Sequence, residues 1–129
     1  MTGYIDNIQQ QTLNNNNFRK ILFTGPKSQL VVMSLKPGED IGEEVHPNID
    51  QFFRIEQGTA KVIIDDREEV VHDDYAIVVP AGSKHNVINI GDVELKLYTI
   101  YTPPEHKDGT VQKTKEDAMA DEHDHYENI

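Results

Sequence analysis

The chain has 129 residues and contains neither cysteine nor tryptophan. Without cysteine there can be no disulfide framework and no thiolate metal site. No apolar run approaches the ~18 residues that a spanning helix needs. The first residues, MTGYIDNIQQQ, lack a basic stretch followed by an apolar one, so no signal peptide is expected and the location expected is cytoplasmic. Cations are scarce: 12 Lys and Arg face 23 Asp and Glu, for a net charge of -11. Phosphate-rich surfaces are repelled by such a chain. The expectation is a single domain that binds a small-molecule ligand, with no nucleic acid and no membrane as partner.

Long helical periodicity is missing as well. From Phe18 onward, seven short runs rich in Val, Ile, Phe and Tyr follow one another: FRKILFTG, SQLVVMSLK, QFFRIEQG, TAKVIID, YAIVVP, HNVINI and ELKLYTIYT. Turn residues divide them, among them Gly25-Pro26, Pro37-Gly38, Pro47-Asn48, Gly58, Pro80-Ala81-Gly82 and Gly91-Asp92. Asp65-Asp66 marks the tip of a tight hairpin in IIDDREEVV. Short strands at this spacing predict an all-β domain, a small antiparallel barrel or sandwich, over 18–104. Residues 1–17 form a polar lead-in, with a helical turn expected around Ile5 to Ile8. Residues 105–129 carry eight acids and three lysines. They read as an acidic, mobile tail with one helical turn around Lys115 to Ala120, dispensable for the fold.

The chemistry concentrates between Gly38 and Asn89. Alternation along a strand sends residues two apart to one face, so Glu44 and His46 point together. Pro47-Asn48 bends the chain and Gln51 opens the next strand, while His85 follows the PAG turn. Two imidazoles, a carboxylate and an amide oxygen suit zinc, manganese, iron(II) or nickel, and are too hard for copper(I). Four protein donors on an ion that accepts five or six leave room for water and substrate. Asp50, beside Gln51, offers a carboxylate and stands as the alternative fourth ligand.

These two runs resemble the paired motifs of the cupin superfamily. In the first, Gly38 opens, Glu44 and His46 occupy the His-x-His positions, Gln51 takes the glutamate position and Gly58 closes. In the second, Pro80, Gly82, His85 and Asn89 match, and Asp74 stands where the family has glycine. The resemblance is closest to small single-domain cupins described as mannose-6-phosphate isomerase-like, and the zinc site of the true isomerases also uses two histidines, a glutamate and a glutamine. It implies a jelly-roll barrel holding one divalent metal ion and acting on a small hydroxy-carbonyl or sugar-like substrate, isomerase-like. It also implies a homodimer, as exposed strand edges invite. A non-haem oxygen-using enzyme and a binding module without turnover are the other two readings. No catalytic base can be named from the sequence.

The expected pocket lining is Phe53, Ile55, Asn89 and Tyr98, with Tyr101 as a second aromatic near the last strand. Arg54 and Lys84 are expected to point away, which leaves the pocket apolar around the metal. Asn89 can equally tie down a loop. His72 and His106 lack partners at metal spacing and are expected on the surface. His123-x-His125 has the spacing of a metal clip, but it lies in a polar stretch expected to be solvated.

Overall fold

The computed structural model describes residues 2–121 and 124–125. Two antiparallel sheets face each other. Along the chain come β1 (Arg19–Thr24), β2 (Gln29–Leu35), β3 (Glu44–Val45), β4 (Asp50–Gln57) and β5 (Thr59–Ile64). They are followed by β6 (Arg67–His72), β7 (Ala76–Val79), β8 (Lys84–Asn89), β9 (Leu95–Thr102) and β10 (Val111–Gln112). The larger sheet runs β10-β1-β2-β9-β4-β7 and the smaller β3-β8-β5-β6. The all-β expectation is met.

Alternation sets the core. Val31, Met33 and Leu35 of β2, Phe53 and Ile55 of β4, and Leu95 and Leu97 of β9 turn inward from the larger sheet. Ala60, Val62, Val71 and Val87 meet them from the smaller one. Apolar surface buried between two sheets is the main stabilising term, at about 25 cal/mol per Å². The hairpin joining β5 to β6 pairs Ile64 with Arg67 across Asp65-Asp66. Asp65 there sits at φ 53, in the left-handed region that aspartate tolerates better than most residues.

Near the N-terminus the helix is placed later than the sequence suggests. It is α1 (Ile8–Asn14), capped by the Asn7 side chain, which accepts from the Gln10 N–H. Ile5 is fully exposed and takes no part in it.

The larger departure lies beyond Pro104. The stretch expected to be a mobile tail contributes β10, which pairs with Arg19 and Lys20 of β1. The helical turn expected around Lys115 to Ala120 is present, as α2 (Lys115–Ala120), capped by Thr114. The polar composition of the stretch hid its packing, because buried polar partners hold much of it, with Ala118 packed against the core. The buried side chain of Gln29 donates to the His106 carbonyl and accepts from the backbone N–H groups of Glu105 and His106. His106, expected on the surface, is 7% exposed. His72 does lie on the surface. Of the His123-x-His125 pair, His125 is exposed and His123 lies outside the described residues.

Candidate metal centre

Glu44 and His85 are cross-strand partners in the β3–β8 ladder. His46 follows β3, and its carbonyl accepts from the Gly82 N–H at 2.9 Å, which joins its loop to the PAG turn preceding His85. Gly82 sits at φ +88, where a residue with a Cβ is strained. The hairpin-like pairing and this tie hold the three side chains together. One donor atom from each of Glu44, His46 and His85 lies within 4.8 Å of the others. A first-row ion with bonds of about 2.1 Å sets neighbouring donors about 3 Å apart and opposite ones about 4.2 Å apart, so a small inward movement closes the shell.

The polar atoms of this cluster are incompletely satisfied by one another. His46 Nε2 is 2.8 Å from Glu44 Oε2, yet it is buried without a hydrogen bond of acceptable geometry. Glu44 nevertheless raises the His46 pKa above its ordinary value, against the opposing effect of burial. Burial also opposes ionisation of Glu44, but contact with His46 and the nearby charge of Arg19 outweigh it, so the Glu44 pKa is lowered.

His85 shows the same incompleteness. Its Nδ1 lies 3.2 Å from the Ser83 carbonyl and its Nε2 lies 3.1 Å from Gln51 Oε1. The Gln51 amide is oriented by donating from Nε2 to Thr99 Oγ1 at 3.0 Å. With the amide turned this way, both neighbours of the ring are acceptors, and a neutral imidazole can donate to only one. Protonation would satisfy both, but burial lowers the His85 pKa. A cation at Nε2, with Nδ1–H donating to Ser83, satisfies the whole set. The donor chemistry therefore fits a divalent metal.

The alternative fourth ligand is placed elsewhere. Asp50 is exposed and its Oδ1 accepts from the Ala81 N–H at 2.8 Å, bracing the PAG turn. Gln51 is 2% exposed and turns inward. Of the expected pocket lining, Phe53 sets its ring edge-on toward His85, with centroids 6.2 Å apart. Ile55, one alternation further, belongs to the core cluster. Asn89 ties down backbone: its Nδ2 donates to the Leu35 and Val93 carbonyls, and its Oδ1 accepts from the Gly91 N–H. Tyr98 is on the opposite face of β9 from Thr99 and packs near Phe52, so it is removed from the lining. Tyr101 is the aromatic at the centre, edge-on to His46 with centroids 6.0 Å apart.

Two residues near the cluster were not singled out from the sequence as site residues. His106 Nε2 is 3.0 Å from the Tyr101 hydroxyl, and its Nδ1 is 2.7 Å from Asp124 Oδ2. Arg19, buried on β1, donates from Nη1 to Gln112 Oε1 at 2.8 Å. A signal for Arg19 was available: it shares the inward phase of β1 with Ile21, where an aliphatic residue is ordinary. His106 carried no such signal, because it precedes β10 in an irregular segment.

The Cupin domain family profile matches residues 31–101, more than half of the chain. The protein is a cupin. This cupin is 53% identical over 125 residues to a Bacillus subtilis protein named "Uncharacterized protein YrkC", covering 92% of this chain and 67% of that one. Among solved structures, BH2720 from Bacillus halodurans superposes with a TM-score of 0.89 at 48% identity, covering 92% of this cupin and 94% of that chain. A more distant similarity, 30% over 76 residues, links it to a mannose-1-phosphate guanylyltransferase of Salmonella montevideo. That match covers 59% of this chain and only 16% of the enzyme. No helix among the described residues of the cupin is long and apolar enough to cross a membrane.

Proposed function

We propose that this cupin holds one divalent metal ion between Glu44, His46 and His85, with Gln51 Oε1 as a fourth donor, and acts on a small hydroxy-carbonyl compound. The observation that carries this reading is the convergence of three donor atoms to within 4.8 Å, with both imidazoles buried. Zinc, manganese, iron(II) and nickel all suit the donor set. The ion, when bound, supplies a Lewis acid that polarises an oxygen of the substrate.

The chain's own residues shape what enters. Phe53, fully buried, sets an apolar ring edge-on beside His85. Glu44, a third exposed in its side chain, is the most exposed of the three donors. The isomerase-like reading is favoured over simple ligand storage because the donors offered are few enough to leave positions free on the ion. We extend the proposal to a homodimer, since β6 and β7 are free sheet edges carrying the exposed apolar residues Val70 and Val78.

Metal quantitation tests the central statement. Protein produced without an affinity tag and without chelator is expected to carry close to one equivalent of a first-row divalent ion. After chelation and dialysis against Zn²⁺, Mn²⁺, Fe²⁺ or Ni²⁺ it is expected to recover that stoichiometry. Failure to retain any of the four ions overturns the reading. The identity of the retained ion separates zinc-type chemistry from an oxygen-using enzyme.

A further inference from the structure

We propose that Glu105, carried by the segment after Pro104, is a positioning residue of the metal centre: its carboxylate accepts from Nδ1–H of His46 and so presents Nε2 of that ring to the ion. The proposal rests on the metal-site reading and adds to it a residue that lies outside both cupin motifs.

The two nitrogens of the His46 ring face different carboxylates. Nε2 lies on the side of the other donors, 2.8 Å from Glu44 Oε2. Nδ1 faces Glu105, whose Oε2 is 3.9 Å away. An imidazole that gives Nε2 to a metal keeps its proton on Nδ1, and a hydrogen bond from that proton fixes the ring. His85 has its acceptor in the Ser83 carbonyl, 3.2 Å from Nδ1. Among the described residues, the acceptor placed for His46 is Glu105. A side-chain shift of about 1 Å closes the gap to hydrogen-bond length.

The sheet holds Glu105 at the level of the donors. Gln29 of β2, Tyr101 of β9 and Gln51 of β4 are register partners in one row across the larger sheet, and all three are buried. The inward rows behind it hold Val31, Thr99 and Phe53, then Met33, Leu97 and Ile55. Each member of the polar row serves the centre or its surroundings. Gln51 reaches His85 Nε2, and Tyr101 sets its ring edge-on to His46. Gln29, fully buried, accepts from the backbone N–H of Glu105 at 3.3 Å and of His106 at 2.9 Å. The Glu105 backbone is thereby anchored, while its side chain makes no hydrogen bond or other ion pair among the described residues.

Charge favours the same arrangement. Glu44 balances half the charge of a divalent ion, and the carboxylate of Glu105 stands ready to balance the rest. The Glu105 side chain is 27% exposed, so it keeps part of its hydration and escapes the full cost of a buried charge.

The test compares the full native chain with Glu105→Ala and Glu105→Gln, reading Zn²⁺ affinity by competition with a zinc-binding dye. Glutamine keeps an acceptor for Nδ1–H and loses the charge, whereas alanine loses both. Glu105→Ala is expected to bind Zn²⁺ about 10–100-fold more weakly than the native chain. Glu105→Gln is expected to stay within about threefold of it, since a neutral acceptor is weaker than a charged one but still orients the ring. In Zn²⁺-loaded protein labelled with ¹⁵N-histidine, the His46 Nδ1–H signal is recognised by its contact with the Tyr101 ring. It is expected to be resolved in the native chain and in Glu105→Gln, and to broaden by exchange with water in Glu105→Ala. Circular dichroism confirms that both variants are folded, as the backbone bond to Gln29 survives either change. Native affinity in Glu105→Ala overturns the proposal, as does a His46 signal indifferent to both substitutions. Glu105→Gln as weak as Glu105→Ala also overturns it, because the effect would then belong to charge alone. A native chain that retains no Zn²⁺, Mn²⁺, Fe²⁺ or Ni²⁺ overturns the metal reading and this role with it. Retention of the ion with an unchanged Glu105→Ala overturns this role alone.

Discussion

Glu44 stands directly across the β3–β8 ladder from His85, so a donor from each cupin motif is placed by one backbone register. A strand pair fixes which side chains share a face, and slipping it by one residue turns every one of them over. The candidate centre is therefore as well defined as the short ladder that carries it. Glu44 contributes the carboxylate of the three-residue cluster found among the described residues.

Ligand loss follows from that geometry. A metal bound only by the folded state stabilises it by about 2.7 kcal/mol at a hundredfold excess over its dissociation constant. Zn²⁺ is expected to raise the melting temperature of the native chain by several degrees, and chelator to reverse the rise. Glu44→Ala and His46→Ala are expected to abolish the shift, since loss of a direct donor exceeds the roughly 10–100-fold cost of losing an outer partner. Differential scanning fluorimetry with and without Zn²⁺ decides it. An undiminished shift in both variants contradicts the assignment.

The segment after Pro104 yields a prediction opposite to the one its composition suggests. Removing it strips Gln29 of the three backbone partners it holds, Tyr101 of His106, and Arg19 of Gln112. Each buried polar group left unpaired costs about 1–3 kcal/mol, against a total stability of about 5–15 kcal/mol for a domain. A chain ending at Pro104 is expected to be unfolded at 25 °C or to melt far below the full chain. Urea denaturation followed by circular dichroism measures this. A truncated chain as stable as the full one would show that these bonds contribute little.

Acid sensitivity should trace to Asp124. Burial alone would raise its pKa, but hydrogen bonds from His106 and Gln112 and the Arg19 charge overcome this, and the pKa falls from 3.8 to about 2. A carboxylate depressed on folding contributes stability that is present above the unfolded pKa and lost as pH falls through the folded one. The contribution is roughly 2 kcal/mol, present above about pH 4 and gone near pH 2. In metal-free protein, Asp124→Asn is expected to be less stable than the native chain by about that much at pH 5. The difference should shrink as pH falls from 4 to 2. A gap that stays constant over this range would place the effect elsewhere.

The contrast between these regions explains what could be read from the sequence. Strand alternation and turn residues are local, so the fold was legible, as was the shared face of Glu44 and His46. The hairpin tip at Asp65-Asp66 was legible for the same reason. Tyr98 was placed on the wrong face because β9 offers aromatic residues on both: Tyr98 pairs with Arg54 and Tyr101 with Gln51, one register apart in parity. The packed C-terminal segment was hidden more deeply. Its anchors are polar and distant in sequence, with 77 residues separating Gln29 from His106, and hydrophobic patterning carries no trace of such bonds. Arg19 alternates inward with Ile21 on β1, but nothing local to that strand shows the distant Gln112 that engages it.

Neighbouring residues Asp50 and Gln51 give the sharpest test of the fourth ligand. Gln51 faces inward with its amide oxygen 3.1 Å from His85 Nε2, while Asp50 faces out and braces Ala81. Gln51→Glu replaces a neutral donor with a charged one at the same length. Thr99, which now accepts from the amide, can donate its own hydroxyl to the new carboxylate. Metal affinity is expected to rise about tenfold, because charge on the donors tunes affinity for divalent ions. Without metal the same variant should be less stable, since a buried carboxylate then lacks a cation. Asp50→Ala is expected to leave metal affinity unchanged and to cost about 0.5–1.5 kcal/mol, the worth of one hydrogen bond bracing the turn. Competition titration with a zinc-binding dye reads both. The reverse pattern, affinity lost in Asp50→Ala and unmoved in Gln51→Glu, would transfer the ligand role to Asp50 and require the β4 strand to turn over in the loaded protein.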